Sequence, residues 1–154
     1  MESIENKLTV LSRIAKELNQ KDVSWAIGAS LLLYFKGITS EFHDIDIIAD
    51  EADVEIIKDV LLSFGNIQQT NPNVKYKSKS FMEFIVDGVD IDVMAGFAII
   101  YNDKEYHFPL KKEKINDYAE VNGIRIPLHS IEEWRNYYEL MGRDEKVNMI
   151  DAYQ

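Results

Sequence analysis

Asp44 and Asp46 stand one residue apart in the run His43-Asp44-Ile45-Asp46-Ile47-Ile48. In an extended strand residues i and i+2 share a face. The two carboxylates therefore project together, while Ile45 and Ile47 point the other way. Like charges held side by side repel, and each makes the other harder to ionise. A hard divalent cation, which takes oxygen ligands, relieves that repulsion. The run Val89-Asp90-Ile91-Asp92-Val93-Met94 repeats the alternation. Placed in the same sheet, Asp92 completes a magnesium site of three carboxylates. Metal ions so held can activate an attacking hydroxyl and stabilise the leaving oxygen in an in-line displacement. Asp92 is preferred to Asp90 because it lies deeper in the strand, toward Met94-Ala95-Gly96. Asp90 adjoins the Asp87-Gly88 turn and reads as a solvated charge. Taken alone, an Asp-Ile-Asp-Ile run is more often a solvated strand edge; its meaning comes from what accompanies it.

Upstream, Gly28-Ala29-Ser30 joins a short apolar run to a short helix. A helix N-terminus offers unpaired N–H groups, glycine allows close approach to the backbone, and Ser30 adds a hydroxyl. Such a turn suits a phosphate, although the same residues also serve as plain turn chemistry. Arg143 and Lys146, spaced to share a helical face, could meet a triphosphate or a charge that develops during reaction. A solvated basic face is the other reading of that pair. Lys36 is a further cationic candidate. His43 could donate to a phosphate, orient a carboxylate, or simply fill a structural role.

The elements that must position these residues follow from periodicity. Ile4, Leu8, Leu11, Ile14, Ala15 and Leu18 recur at helical spacing over residues 3–20. Residues 23–27 read as a buried strand, 30–35 as a short helix ended by Gly37, and 43–49 as the strand of the paired aspartates. Asp50 is placed to cap a helix with an apolar face of Val54, Ile57, Val60, Leu61 and Phe64. Residues 66–80 are polar, with Asn71-Pro72-Asn73 as a turn. Residues 80–86 and 89–95 form a hairpin at Asp87-Gly88, and 119–121 and 124–127 another at Asn122-Gly123. Residues 104–109 make one more strand. Ser130 with Glu133 is a capping box for a helix that buries Ile131, Trp134, Tyr138 and Met141, and a last helix starts near Arg143. The expected class is α+β, one domain over residues 1–154, with a mixed, mostly antiparallel sheet flanked by helices and a short C-terminal helical pair.

Composition narrows the function. The 154 residues, 46% of them hydrophobic, suffice for one real core. There is no cysteine, so neither disulfides nor a zinc–thiolate site is available, and His43, His107 and His129 are too scattered for a zinc motif. A net charge of -10 argues against nucleic acid as a partner but leaves room for a nucleotide whose charge is carried by magnesium. The N-terminus lacks the pattern of a signal peptide and no stretch matches a membrane span, which sets a soluble cytoplasmic protein as the expectation.

Together Ile27-Gly28-Ala29-Ser30, His43-Asp44-Ile45-Asp46-Ile47 and Ile91-Asp92-Val93 resemble the nucleotidyltransferase superfamily that includes DNA polymerase beta. The chain is similar to its small stand-alone members, near the lincosamide and aminoglycoside nucleotidyltransferases and AbiEii-type toxins. Val121-Asn122-Gly123-Ile124-Arg125-Ile126-Pro127, Tyr138 and Gly142-Arg143-Asp144-Glu145-Lys146 extend the likeness over roughly residues 23–150. The resemblance implies the nucleotidyltransferase fold, with Gly28, Ala29 and Ser30 at the triphosphate and Asp44 and Asp46 on Mg²⁺. It implies Asp92 as the third carboxylate and as base or metal ligand for the acceptor hydroxyl. The implied reaction transfers a nucleoside monophosphate from an NTP to a hydroxyl of a small molecule or protein and releases pyrophosphate. Ala29 stands where the family carries a second glycine or a Gly-Ser pair. The C-terminal helical part is only about 25 residues, which leaves room for a homodimer or a partner protein to complete the acceptor pocket. The alternative is a catalytically silent binding module, an antitoxin or regulatory partner.

Overall fold

Burial alternates along two strands and locates the centre of the molecule. In Val89–Ala95 the residues Val89, Ile91 and Val93 are buried while Asp90 is exposed and Asp92 half-buried, and in Ile45–Ala49 only Asp46 escapes full burial. The computed structural model describes residues 3–68 and 80–153. In chain order they form α1 (Ile4–Gln20), β1 (Trp25–Gly28), α2 (Ala29–Phe35), β2 (Ile45–Ala49), a 3₁₀ turn (Glu51–Asp53) and α3 (Val54–Leu62). Then come β3 (Asn66–Gln68), β4 (Ser80–Val86), β5 (Val89–Ala95), β6 (Ala98–Tyr101), β7 (Lys104–His107) and a second 3₁₀ turn (Lys112–Lys114). The chain closes with β8 (Asp117–Val121), β9 (Ile124–Leu128), α4 (Ile131–Leu140) and α5 (Asp144–Tyr153).

Seven strands make one sheet in the order β3-β4-β5-β2-β1-β9-β8, and β6 and β7 form a separate ribbon. β1 pairs antiparallel with β2 and parallel with β9; β2 and β5 are parallel; β3–β4, β4–β5 and β8–β9 are antiparallel. The sheet is thus mixed and mostly antiparallel, as expected. α1 lies over β9 and β8 and against α3, which lies over β3 and β4, while α2 packs on β1, β2 and α4. No helix of the described residues is long and apolar enough to cross a membrane.

Local chemistry explains the boundaries. Ser3 caps α1 by accepting from Asn6 N–H, and Ser130 caps α4 by accepting from Glu133 N–H. Asp50 caps the 3₁₀ turn, through Ala52 N–H, ahead of α3. Asp87-Gly88 and Asn122-Gly123 both carry positive φ at their two central residues, the backbone of a type I′ hairpin turn. β2 begins at Ile45 and leaves His43 and Asp44 in the loop before it. β3 and β6 were not anticipated. β3 is short and wholly exposed, without apolar alternation. β6 turns into β7 at Asn102-Asp103, again with two positive φ values, but without the glycine that makes such a turn readable. The Asn71-Pro72-Asn73 turn lies outside the described residues.

Trp134, fully buried, anchors an aromatic core with Phe97, Tyr137 and Tyr138, at ring-centroid separations of 5.1 to 5.7 Å. Its ring also presses on β1, where a Cβ on Gly28 would lie 2.5 Å from Trp134 Cζ2. Gly28 is therefore required by packing between helix and strand, since its own φ of -125° is ordinary extended backbone.

Candidate active site

Register does the assembling. Asp46 of β2 lies opposite Asp92 of β5 in the parallel ladder, and Glu83 of β4 lies opposite Asp92 on its other side. Gly28 pairs with Asp46 on the remaining flank. One row across four strands thus reads Glu83, Asp92, Asp46, Gly28. Asp44 precedes β2 by one residue and adds its charge from the loop.

The electrostatics follow from crowding with little water. Burial, and then the charges of Asp92 and Asp44, raise the Asp46 carboxyl well above its usual range. Burial, and then Asp44, Glu83 and Asp90, push Asp92 up to about 7. A hydrogen bond joins the Asp46 and Asp92 carboxyl groups. Asp44 is raised by burial and by Asp90, while the charges of His43 and Lys7 oppose the rise. Asp90 is exposed at the rim, as expected, yet its charge still reaches the cluster.

A cavity of about 320 Å³ opens over these groups, lined by Ala29, Ser30, His43, Asp44, Asp46 and Asp92, with Phe81, Met94, Tyr138, Arg143 and Lys146 on its other walls. The two cations close it from the start of α5. Arg143 pairs with Glu145 at 2.6 Å and lies 5.9 Å from the Tyr138 ring centroid. Lys36 stands apart from this gathering. It pairs with Asp117 and faces another cavity, lined also by His129 and Ser130. At the far end of α2 from Ser30, it is placed to serve that ion pair instead of the aspartates. Phe81, Met94 and Tyr138 supply apolar walls that the sequence reading assigned to strand or core. Phe81 and Met94 are cross-strand partners, which is the signal that could have placed them together.

Ala29 adopts φ +53°, the left-handed region that favours glycine. Strain of this kind is retained where surrounding structure holds it in place and is common at functional turns.

The donor set suits a hard divalent cation, being all carboxylate oxygen. Among the described residues no group of three or more His, Cys, Asp or Glu side chains is arranged to hold a metal ion. Magnesium does not require one, since it is typically held by one or two carboxylates with waters and substrate phosphates in the remaining positions.

The chain is similar to known proteins. A model of the aminoglycoside-2''-adenylyltransferase family matches residues 10–152. Among curated proteins there is no significant match. A candidate nucleotidyltransferase from Thermotoga maritima, TM1012, is similar at 27% identity and a TM-score of 0.77 over 99% of this chain and 94% of that one. ANT(2'')-Ia, solved with adenylyl-2''-tobramycin, superposes with a TM-score of 0.58 at 12% identity, over 96% of this chain and 97% of that one. The lincosamide antibiotic adenylyltransferase LnuA, solved with lincomycin, does so with a TM-score of 0.58 at 16% identity, over 94% and 96%. The brevity of the C-terminal helical part is therefore no reduction relative to these folds, which this chain spans almost fully.

Proposed function

The chain belongs to the aminoglycoside-2''-adenylyltransferase family and is a nucleotidyltransferase, and on that premise we propose that it moves a nucleoside monophosphate from an NTP to a hydroxyl of a small molecule, with magnesium, releasing pyrophosphate. The observation that carries this reading is the in-register pairing of Asp46 with Asp92, with Asp44 beside them.

Asp44 and Asp46 would hold Mg²⁺, with Asp92 as the third carboxylate. Bound there, magnesium would neutralise the carboxylate cluster and offset the charge that develops on the transferring phosphoryl group. Asp92, in register beside Asp46, would accept the proton of the acceptor hydroxyl as that oxygen attacks the α-phosphorus. The bond to the pyrophosphate oxygen breaks as the new P–O bond forms. Arg143 and Lys146, on the opposite wall, face the place where a triphosphate's negative charge would lie. Ser30 and His43 border the same space and can donate to phosphate oxygens. Phe81, Met94 and Tyr138 offer apolar surface to a base or to the acceptor, and exclude water from the reacting centre.

The relatives solved with adenylyl-tobramycin and with lincomycin favour a small, hydroxyl-rich acceptor over a protein one. A silent module would have no physical reason to keep three mutually repelling carboxylates together. The test is transfer from radiolabelled NTPs in Mg²⁺ to a panel of aminoglycoside, lincosamide and protein hydroxyl acceptors. Transfer is expected with the native chain and not with Asp46→Asn, whose circular dichroism should match the native spectrum. Undiminished transfer by Asp46→Asn would refute the assignment.

A further inference from the structure

α1 presents an apolar stripe to the sheet through Val10, Leu11, Ile14 and Leu18, all nearly inaccessible to solvent. Lys7 continues that stripe one turn earlier, where an apolar residue is expected, and is itself only 7% exposed. Its ammonium donates to the Phe42 carbonyl oxygen at 3.1 Å and lies 5.4 Å from the centroid of the Phe42 ring. Among the described residues no carboxylate lies within salt-bridge distance of it. A methionine here would fill the same stripe without bringing a charge into it. Stability alone does not account for the charge.

Its location does. The β2–β5 ladder begins at Ile45 opposite Ile91. Asp44 sits one residue before that point, so the sheet does not hold its backbone as it holds Asp46 and Asp92. Phe42 is two residues before Asp44, and the bond from Lys7 ties that peptide to a rigid helix.

We propose that Lys7 is a positioning residue: its bond to the Phe42 carbonyl fixes the Phe42–Asp44 loop to α1, so that the Asp44 carboxylate is held ready for metal and nucleotide. The inference rests on the proposed role of Asp44 as a metal ligand. Lys7→Met keeps the length and apolar stem, and Lys7→Arg keeps the charge. Lys7→Met should unfold no earlier than the native chain, yet lose about 10–100-fold in kcat, the usual cost of removing a residue that orients a metal ligand. Lys7→Arg should recover most of that loss. Mn²⁺ binding to the nucleotide-free protein, followed by electron paramagnetic resonance, reads the same effect without catalysis and should weaken about ten-fold in Lys7→Met. Native kcat and native or tighter Mn²⁺ binding in Lys7→Met would overturn the proposal. So would equal losses in Lys7→Met and Lys7→Arg accompanied by a lowered melting temperature, the signature of a purely structural role. Asp44→Asn separates the two readings. If it abolishes Mn²⁺ binding while Lys7→Met does not, only the Lys7 inference falls. If it binds Mn²⁺ as the native chain does, the site reading falls and takes the Lys7 role with it.

Discussion

Replacing Asp92 by asparagine should stabilise the metal-free protein, and the gain should depend on pH. The Asp92 carboxyl is moved from 3.8 in an unfolded chain to about 7 in the folded one. Three units at about 1.4 kcal/mol each give an upper limit of ~4 kcal/mol for holding the charged form in the fold. Asp92 is only half-buried, so solvent screens part of this and about 2 kcal/mol is the working figure. The folded chain binds this proton more tightly than the unfolded one. Its contribution to stability is therefore fully present below 3.8 and is lost as pH rises through about 7. Asparagine cannot ionise, so the variant escapes that loss, and it also relieves Asp46 of its neighbour's charge. Urea unfolding in EDTA should show Asp92→Asn more stable than the native chain by about 2 kcal/mol at pH ~8.5 and nearly equal to it at pH ~4. Comparing the two chains at each pH cancels the titrating groups remote from Asp92. Excess Mg²⁺ should stabilise the native chain more than the variant, because a ligand that binds only the folded state shifts unfolding by mass action. A variant that is less stable than the native chain at the higher pH, or a difference that does not change with pH, would refute the crowded-carboxylate account.

The turn before α2 gives two opposed expectations. Ala29→Gly should raise stability by about 1 kcal/mol, because the left-handed backbone at this position penalises any Cβ, and thermal unfolding would show it. Gly28→Ala should cost about 1–3 kcal/mol by driving a methyl into the Trp134 ring, with a change in tryptophan fluorescence to mark the displaced indole. Arg143→Ala and Lys146→Ala should each raise KM for the nucleotide about ten-fold while leaving the unfolding midpoint nearly unchanged, as steady-state kinetics and denaturation would show.

Period-2 alternation made β2 and β5 readable, and with them the face on which Asp46 and Asp92 sit, whereas Asp44 lies in the loop just before β2. The sheet order is another matter. That β2 and β5 are adjacent and parallel, with Asp46 opposite Asp92, depends on contacts across the chain that no local pattern encodes. Lys36 shows the limit of reading by type: a lysine near a phosphate-suited turn is a reasonable candidate until Asp117, distant in sequence, claims it. Lys7 shows the converse, since a lone lysine in an apolar stripe has no visible partner until the fold brings the Phe42 carbonyl to it. Tyr138 was legible as a buried residue of α4, but its second surface, toward the cavity, emerges only when α4 is docked beside α2. Glu83 was simply the residue after Phe81-Met82 until its register with Asp92 gave it a neighbour.

The pairing of Asp46 with Asp92 sets a ruler for the proposed reaction. Adjacent strands lie about 4.8 Å apart, and peptide hydrogen bonding imposes that interval whatever side chains the helices carry. The separation of these two carboxylate-bearing positions is thus a property of the backbone and is largely insensitive to substitution around it. The walls contributed by α4 and α5 have no such constraint. On the proposed function, a lineage built on this sheet would exchange one acceptor for another by altering cavity residues such as Tyr138 or Phe81, while the Asp46–Asp92 interval stays constant. In this architecture chemical precision and substrate choice are stored in different parts of the chain, and only the second is free to drift.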